Sequence, residues 1–166
     1  MFHPESTTQA PRFYCDAMLG GTARWLRLLG FDTRFHPSID DKVLAQHANL
    51  EQRILLTRDK RLPDEQRPDR VYLVLGNKVD EQMRELVTRF HLNLTATPFS
   101  RCSCCNQRLR PCSPEEMKLK LPADMASPPQ AGFICPACGR CYWMGSHVAR
   151  IRQRMASFSE AFAGQY

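Results

Sequence analysis

Arg53-Ile54-Leu55-Leu56-Thr57-Arg58-Asp59-Lys60 sets the frame for everything around it. Three large apolar residues led by a β-branched one read as a short strand buried on both faces, the kind found inside a parallel sheet. The strand runs straight into an acid, Asp59, set between basic residues. Ligands of open α/β sheets collect beyond the carboxyl ends of the strands, so an acid placed there is well sited for chemistry.

Working outward, the residues before this strand deliver more acids to the same edge. Arg12 to Asp16 reads as a first strand ending in an acid, followed by a helix from Met18 to Leu29 that Gly30 stops as a left-handed C-cap. Asp32 to His36 reads as a second, largely polar strand. Ser38-Ile39-Asp40-Asp41 opens a second helix with the S-x-x-D capping pattern, its buried stripe being Val43, Leu44, His47 and Ala48. Lys60 to Arg70 reads as a loop, Val71 to Leu75 as a fourth strand, and Asp80 to Phe90 as a helix. Strands alternating with helices make a parallel sheet with right-handed crossovers. All strand ends then point to one edge, which gathers Asp16, Asp40, Asp41 and Asp59.

Clustered carboxylates repel one another unless a cation or protons intervene, and hard oxygen ligands favour Mg²⁺ or Mn²⁺. Each acid also has a structural use. Asp41 fits the capping box, Asp40 complements the helix dipole, and Asp80 reads as an N-cap. Asp16 and Asp59 are harder to assign to packing. Arg24 and Arg27 share a helix face and either contact phosphates or are simply solvated, and His47 reads as a core histidine. Asp64 and Asp69 read as solvated loop acids.

Seven of the eight cysteines lie between Cys102 and Cys141. No apolar run reaches the ~18 residues of a membrane span. The first dozen residues lack an export signal, so the expectation is a cytoplasmic chain whose thiols stay reduced. Clustered thiols then point to metal. Cys102/Cys105 and Cys135/Cys138 form two C-x-x-C pairs suited to tetrahedral Zn²⁺, as in a zinc ribbon. The segment between them exceeds the usual ~15–20 residues, and Pro122 to Gly132, with its prolines, can hold the excess. A knuckle turns sharply after its second ligand, which favours a residue tolerant of positive φ. Asn106 follows Cys105 and Gly139 follows Cys138, which selects these four ligands over the spare Cys104, Cys112 and Cys141. Cys15 reads as a buried strand residue.

The 166 residues carry a formal charge of +6, with 23 basic and 17 acidic side chains. Up to Ala96 the counts are 14 and 13; from Thr97 onward they are 9 and 4. A neutral front and a basic back suggest a polyanion held by the back, although a basic surface also serves solubility. Candidate contacts are Arg24, Arg27, Arg58, Arg101, Arg108, Arg140, Arg150, Trp143 and His147. Trp143 can stack on single-stranded bases or pack against the knuckle, the use expected first.

Three stretches together resemble the C-terminal RNase domain of the Mut-seven exonuclease class. These are Phe13 to Gly20, Ala23 to Asp32 and Arg53 to Asp59, joined by the Arg-Cys-x-x-Cys-Asn knuckle at Arg101 to Asn106. The second knuckle, with Tyr-Trp-x-Gly-Ser-His after it, runs from Cys135 to His147. The resemblance implies a PIN-like nuclease fold, with a parallel sheet flanked by helices and a C-terminal zinc ribbon. It implies Asp16, Asp40 and Asp59 as metal-binding acids, with Asp41 as alternate to Asp40. Thr22 stands where the family more often has an apolar residue. The organisation expected is a disordered leader at 1–11, a PIN-like domain at 12–96, a zinc ribbon at 97–150 and a helical tail at 151–166. The leading function is a Mg²⁺- or Mn²⁺-dependent ribonuclease whose basic ribbon grips RNA. The alternatives are a non-catalytic zinc-ribbon RNA-binding protein and a phospho-receiver. No membrane partner is expected, and the residues name no protein or ribosome-associated partner.

Overall fold

The computed structural model describes residues 10–121, 129 and 131–159. Most of the expected leader, most of the loop from Pro122 and the end of the tail lie outside the described residues. The strands β1 (Phe13–Cys15), β2 (Thr33–Phe35), β3 (Ile54–Thr57) and β4 (Val71–Leu73) form a parallel sheet in the order β2-β1-β3-β4. The chain steps from β1 to β2, then crosses back over β1 to β3. That reversal puts the topological switch point at the carboxyl ends of β1 and β3, where ligands of such sheets bind.

Period-two alternation explains why both faces are covered. Phe13, Cys15, Ile54 and Leu56 point into one buried cluster with Leu19, Ala23, Leu26, Met83 and Leu86. Tyr14 and Leu55 point into the other, with Leu44, Ala48 and Leu62. The first set comes from the single turn of 3₁₀ helix Ala17–Leu19, α1 (Gly20–Leu28) and α4 (Val79–Phe90). The second comes from α2 (Asp41–Leu50) and α3 (Leu62–Gln66). The sheet is thus sandwiched between helical layers, as the doubly buried Ile54-Leu55-Leu56 run requires.

Beyond Leu94, β5 (Arg110–Cys112), β6 (Gly132–Ile134) and β7 (Cys141–Tyr142) form a small antiparallel sheet in that order. Between β5 and β6 comes α5 (Pro114–Lys120), whose Ser113 and Glu116 make a reciprocal capping box. The last helix, α6 (Ser146–Ser157), returns to the first layer: Met155 and Phe158 are buried in the larger core, and Phe158 meets Trp25 edge-to-face at 5.1 Å. Among the described residues no helix is long and apolar enough to cross a membrane.

Several local expectations need correction. The N-cap of α2 is Asp40, whose Oδ1 accepts from the amides of Lys42 and Val43; Asp41 lies in the first turn, so the Ser38–Asp41 capping box does not form. His47 and Val43 are exposed, because the buried stripe of α2 is Leu44, Ala45 and Ala48. The segment after Lys60 contains α3, for which Pro63 is pre-organised in the first turn. Lys78, not Asp80, caps α4, while Glu81 accepts from the amides of Asn77 and Lys78. Thr22 is buried and polar because its hydroxyl donates to Gln82 on α4. Gly30 adopts φ +92° after α1, as a left-handed C-cap does.

Candidate active site and metal centre

Asp16 follows β1 directly and is 5% exposed. Its Oδ2 accepts from the Thr57 hydroxyl at 2.6 Å and from the Arg58 amide at 2.9 Å, both at the end of β3. Its Oδ1 accepts from the Met18 amide at 2.8 Å. Neighbouring strand ends therefore hold this carboxylate in place at the switch point. Thr57 also accepts from the Asp59 amide at 3.0 Å, so one hydroxyl links the two acids. Asp59, about a third exposed, accepts from the Arg61 amide at 2.8 Å.

Asp41 feels the charge of the other acids. Burial, then Asp59, Asp40, Asp16 and Glu65 in falling order, raise its carboxyl above the usual aspartate value. Four aspartates from β1, α2 and the end of β3 thus share one negative field, joined by Glu65 of α3. Sequence reasoning missed Glu65 because it took α3 for a loop. It also missed Thr57, whose signal was a polar β-branched residue ending an otherwise apolar strand. The Arg58 guanidinium stands beside this edge and donates to Asn77 at 2.7 Å.

The cysteines are closer still. The Sγ atoms of Cys102, Cys105, Cys135 and Cys138 all lie within 4.8 Å of one another. Among the described residues, this is the only group of three or more metal-ligating side chains drawn so tightly together. A tetrahedron with Zn–S of ~2.3 Å has sulfur–sulfur edges of about 3.8 Å; here Cys102–Cys138 is 3.6 Å and Cys105–Cys135 is 3.4 Å. The donor set and its spacing fit zinc. Asn106 and Gly139 both sit at φ +71°, the turn each knuckle needs. Burial pushes the Cys102 thiol up, but hydrogen bonds from the Tyr142 hydroxyl and the Cys105 and Cys104 amides outweigh it and bring its pKa down to about 6. Cys104 is exposed, whereas Cys112 and Cys141 pack with Met117 and Ile134 in the ribbon's own core. Cys15 is fully buried, as a strand residue should be.

A polar seam joins the first knuckle to the amino-terminal edge of the parallel sheet, opposite the acids. The Asn106 side chain accepts from the Thr33 amide at 3.0 Å and donates to Asp32 at 2.8 Å. Burial would raise the Asp32 carboxyl, but Arg53, bonded at 2.6 Å, together with Asn106 and Arg101 holds it below the usual range. Arg27 is 5% exposed; it donates to the Thr33 carbonyl at 2.8 Å and to the Cys104 carbonyl at 2.6 Å. Arg101 donates to the carbonyls of Gly30 and Asn106. These two arginines, expected on RNA, instead bind the first knuckle to α1 and β2. Arg24, Arg108, Arg140, Arg150 and His147 are exposed, and Trp143 is half-buried.

Residues 11–155, nearly the whole described chain, match the Mut7-C RNAse domain family. The chain belongs to that family. A human relative, "Exonuclease mut-7 homolog", is 35% identical over 109 residues. The match covers 62% of this chain and 12% of the relative, so the chain spans only about an eighth of that curated relative's length. No solved structure matches the chain. Membership in the Mut7-C RNAse domain family points to nuclease-type function.

Proposed function

We propose that the chain is a PIN-like ribonuclease dependent on Mg²⁺ or Mn²⁺, with its reacting edge formed by Asp16, Asp40, Asp41 and Asp59. The observation that carries this is the convergence of four aspartates where the strand order reverses. Structural duties account for part of it: Asp40 caps α2, Asp16 caps the 3₁₀ turn and Asp59 accepts from the Arg61 amide, whereas Asp41 has no capping bond. Asp16 is the fixed ligand, held by Thr57 and the Arg58 amide. Asp40 has an oxygen left over after capping α2, Asp41 has no capping duty, and Asp59 is aimed by the turn to Arg61. Carboxylates spaced more widely than the thiolates suit an ion that keeps several waters. Such an ion, when bound, polarises a phosphodiester oxygen and lowers the pKa of a bound water. Arg58, whose guanidinium also holds Asn77, meets the phosphate in this reading. Arg24, Arg108, Arg140 and Arg150 supply the diffuse positive field that holds the strand. The four cysteines hold Zn²⁺ as a structural ion that shapes the ribbon.

The test is Mn²⁺-dependent cleavage of RNA by the purified chain and by Asp59→Asn. The substitution removes a charge and keeps the shape, so metal affinity and turnover should both fall while the thermal melt survives. Undiminished cleavage by Asp59→Asn, once contaminating nuclease is removed, overturns the site. RNA binding with no cleavage under any divalent metal favours the non-catalytic module instead.

A further inference from the structure

We propose that the groove between the ribbon and the start of α6 seats one base of a single-stranded RNA. The strand's phosphates then follow the Arg150/Arg154 flank of α6 toward the carboxylate edge. This rests on the ribonuclease reading above and supplies the path by which substrate reaches it.

The groove has a volume of about 180 Å³ and is lined by Leu28, Phe99, Phe133, Trp143, His147 and Ile151, among others. An apolar cavity of ~150 Å³ admits a benzene ring, so there is room for one base but not for a folded peptide segment. Trp143 belongs to none of the buried clusters among the described residues, so its indole is not consumed by the ribbon's core. It stands edge-to-face with His147, centroids 6.0 Å apart, while Phe133 is 39% exposed. Gly145 makes this arrangement possible: a Cβ there would lie 3.0 Å from Trp143 Nε1 and 3.1 Å from His147 Nδ1. Flat, partly exposed rings around an apolar slot offer a base the stacking surface that single-strand binders use.

The helix that begins at the groove carries the charge away from it. Val148, Ile151 and Met155 form the stripe that packs on the core, and His147, Arg150 and Arg154 recur at i, i+3 and i+7 along its flank. At ~1.5 Å per residue, His147 and Arg154 stand about 10 Å apart along the axis. Arg150 is exposed and has no acidic partner among the described residues. Arg154 lies 4.9 Å over the Trp25 ring and pairs with Asp80 at 2.6 Å. Trp25 belongs to α1 and Asp80 to the first turn of α4, the helices that leave the carboxyl edge of the sheet. The flank therefore runs from the groove to the first turn of α4, at the carboxyl edge of the sheet, and Arg150 offers its unpaired charge to a phosphate along the way. Single-stranded RNA is the occupant that fits both the slot and the track.

The experiment measures affinity of the zinc-loaded chain, with no other divalent metal added, for a single-stranded oligoribonucleotide and for an abasic strand of equal length. Trp143→Ala should weaken binding of the intact strand by roughly 5- to 100-fold and leave the abasic strand unchanged, while Trp143→Phe restores most of the loss. Arg150→Ala should weaken both strands and lower the salt slope by about one. Equal losses for both strands in Trp143→Ala, no loss for either, or preference for duplex over single strand would each overturn the base seat. Cleavage of RNA together with unaltered binding in Trp143→Ala sinks this inference alone. A native chain that binds no RNA sinks the ribonuclease reading and this inference together.

Discussion

The thiolate centre and the carboxylate edge are built on opposite plans. Each knuckle makes its own geometry from a few consecutive residues, turning at Asn106 or Gly139, and two such turns bring the sulfurs within 4.8 Å. The carboxylates come from distant parts of the chain, and only the sheet brings them together. They share a negative field without meeting. Tight local convergence suits an ion stripped of water and kept for structure, whereas looser long-range convergence suits one that exchanges waters and substrate.

The largest effect should come from attacking the tight centre. About one Zn²⁺ per chain is expected by elemental analysis, and Cys135→Ser should lose it and melt the ribbon, because metal affinity here is folding free energy. Freshly purified protein without zinc would refute the centre as drawn. Asp16→Asn comes next. A lost metal contact worth several kcal/mol of transition-state stabilisation slows RNA cleavage by about 10²-fold or more. Unlike Asp59→Asn it should also lower thermal stability, since Asp16 is buried and accepts from Thr57 and from the Arg58 and Met18 amides.

The seam between the first knuckle and the sheet ranks next. Asn106→Gly preserves the positive-φ turn but strips the side chain from Thr33 and Asp32, and should cost about 1–3 kcal/mol in denaturant unfolding with zinc still bound. Loss of zinc in this variant would show that the knuckle is less autonomous than its geometry indicates. Gly139→Ala should cost about 1 kcal/mol from its left-handed backbone. Nothing lies within 4 Å of the added methyl, so packing adds no penalty.

The smallest effect belongs to Asp41. Its folded pKa is raised, so the folded chain resists its ionisation. The resulting penalty begins as pH climbs past the unfolded value of about 3.9 and is complete above the folded value. Asp41→Asn should therefore be slightly more stable than the native chain at neutral pH without added Mg²⁺ or Mn²⁺, and equal to it below about pH 3.5. Thermal melts across that range check it. A loss of stability instead would restore the capping role that the geometry denies Asp41.

What the sequence revealed divides along the same line. Short-range conformation was legible: positive φ after each second cysteine, Gly30 ending α1, and a doubly buried strand from Ile54 to Leu56. So was the delivery of acids to one edge, because strand–helix alternation fixes where strand ends point. Roles set by distant partners were not. Arg27 looked like a solvated phosphate contact, yet its guanidinium is spent on a carbonyl at Cys104, 77 residues away. Asp32 looked like the start of a strand, and Arg53, Asn106 and Arg101 make it the knot between two modules. Asp41 reads as the partner of a cap two residues out of register, because Ser38 and Asp40 both suit the N-cap and only the local backbone chooses.

The position of Asn106 has one further consequence. β2 is one of the two edge strands of the parallel sheet, and its Thr33 amide and carbonyl are satisfied by Asn106 and Arg27. The knuckle is therefore a lid on a sheet margin that would otherwise present unpaired backbone to any neighbouring chain. Zinc supply should accordingly govern solubility: metal-starved protein is expected to self-associate through this margin, and light scattering during gradual chelation would show oligomers growing before the sheet itself melts.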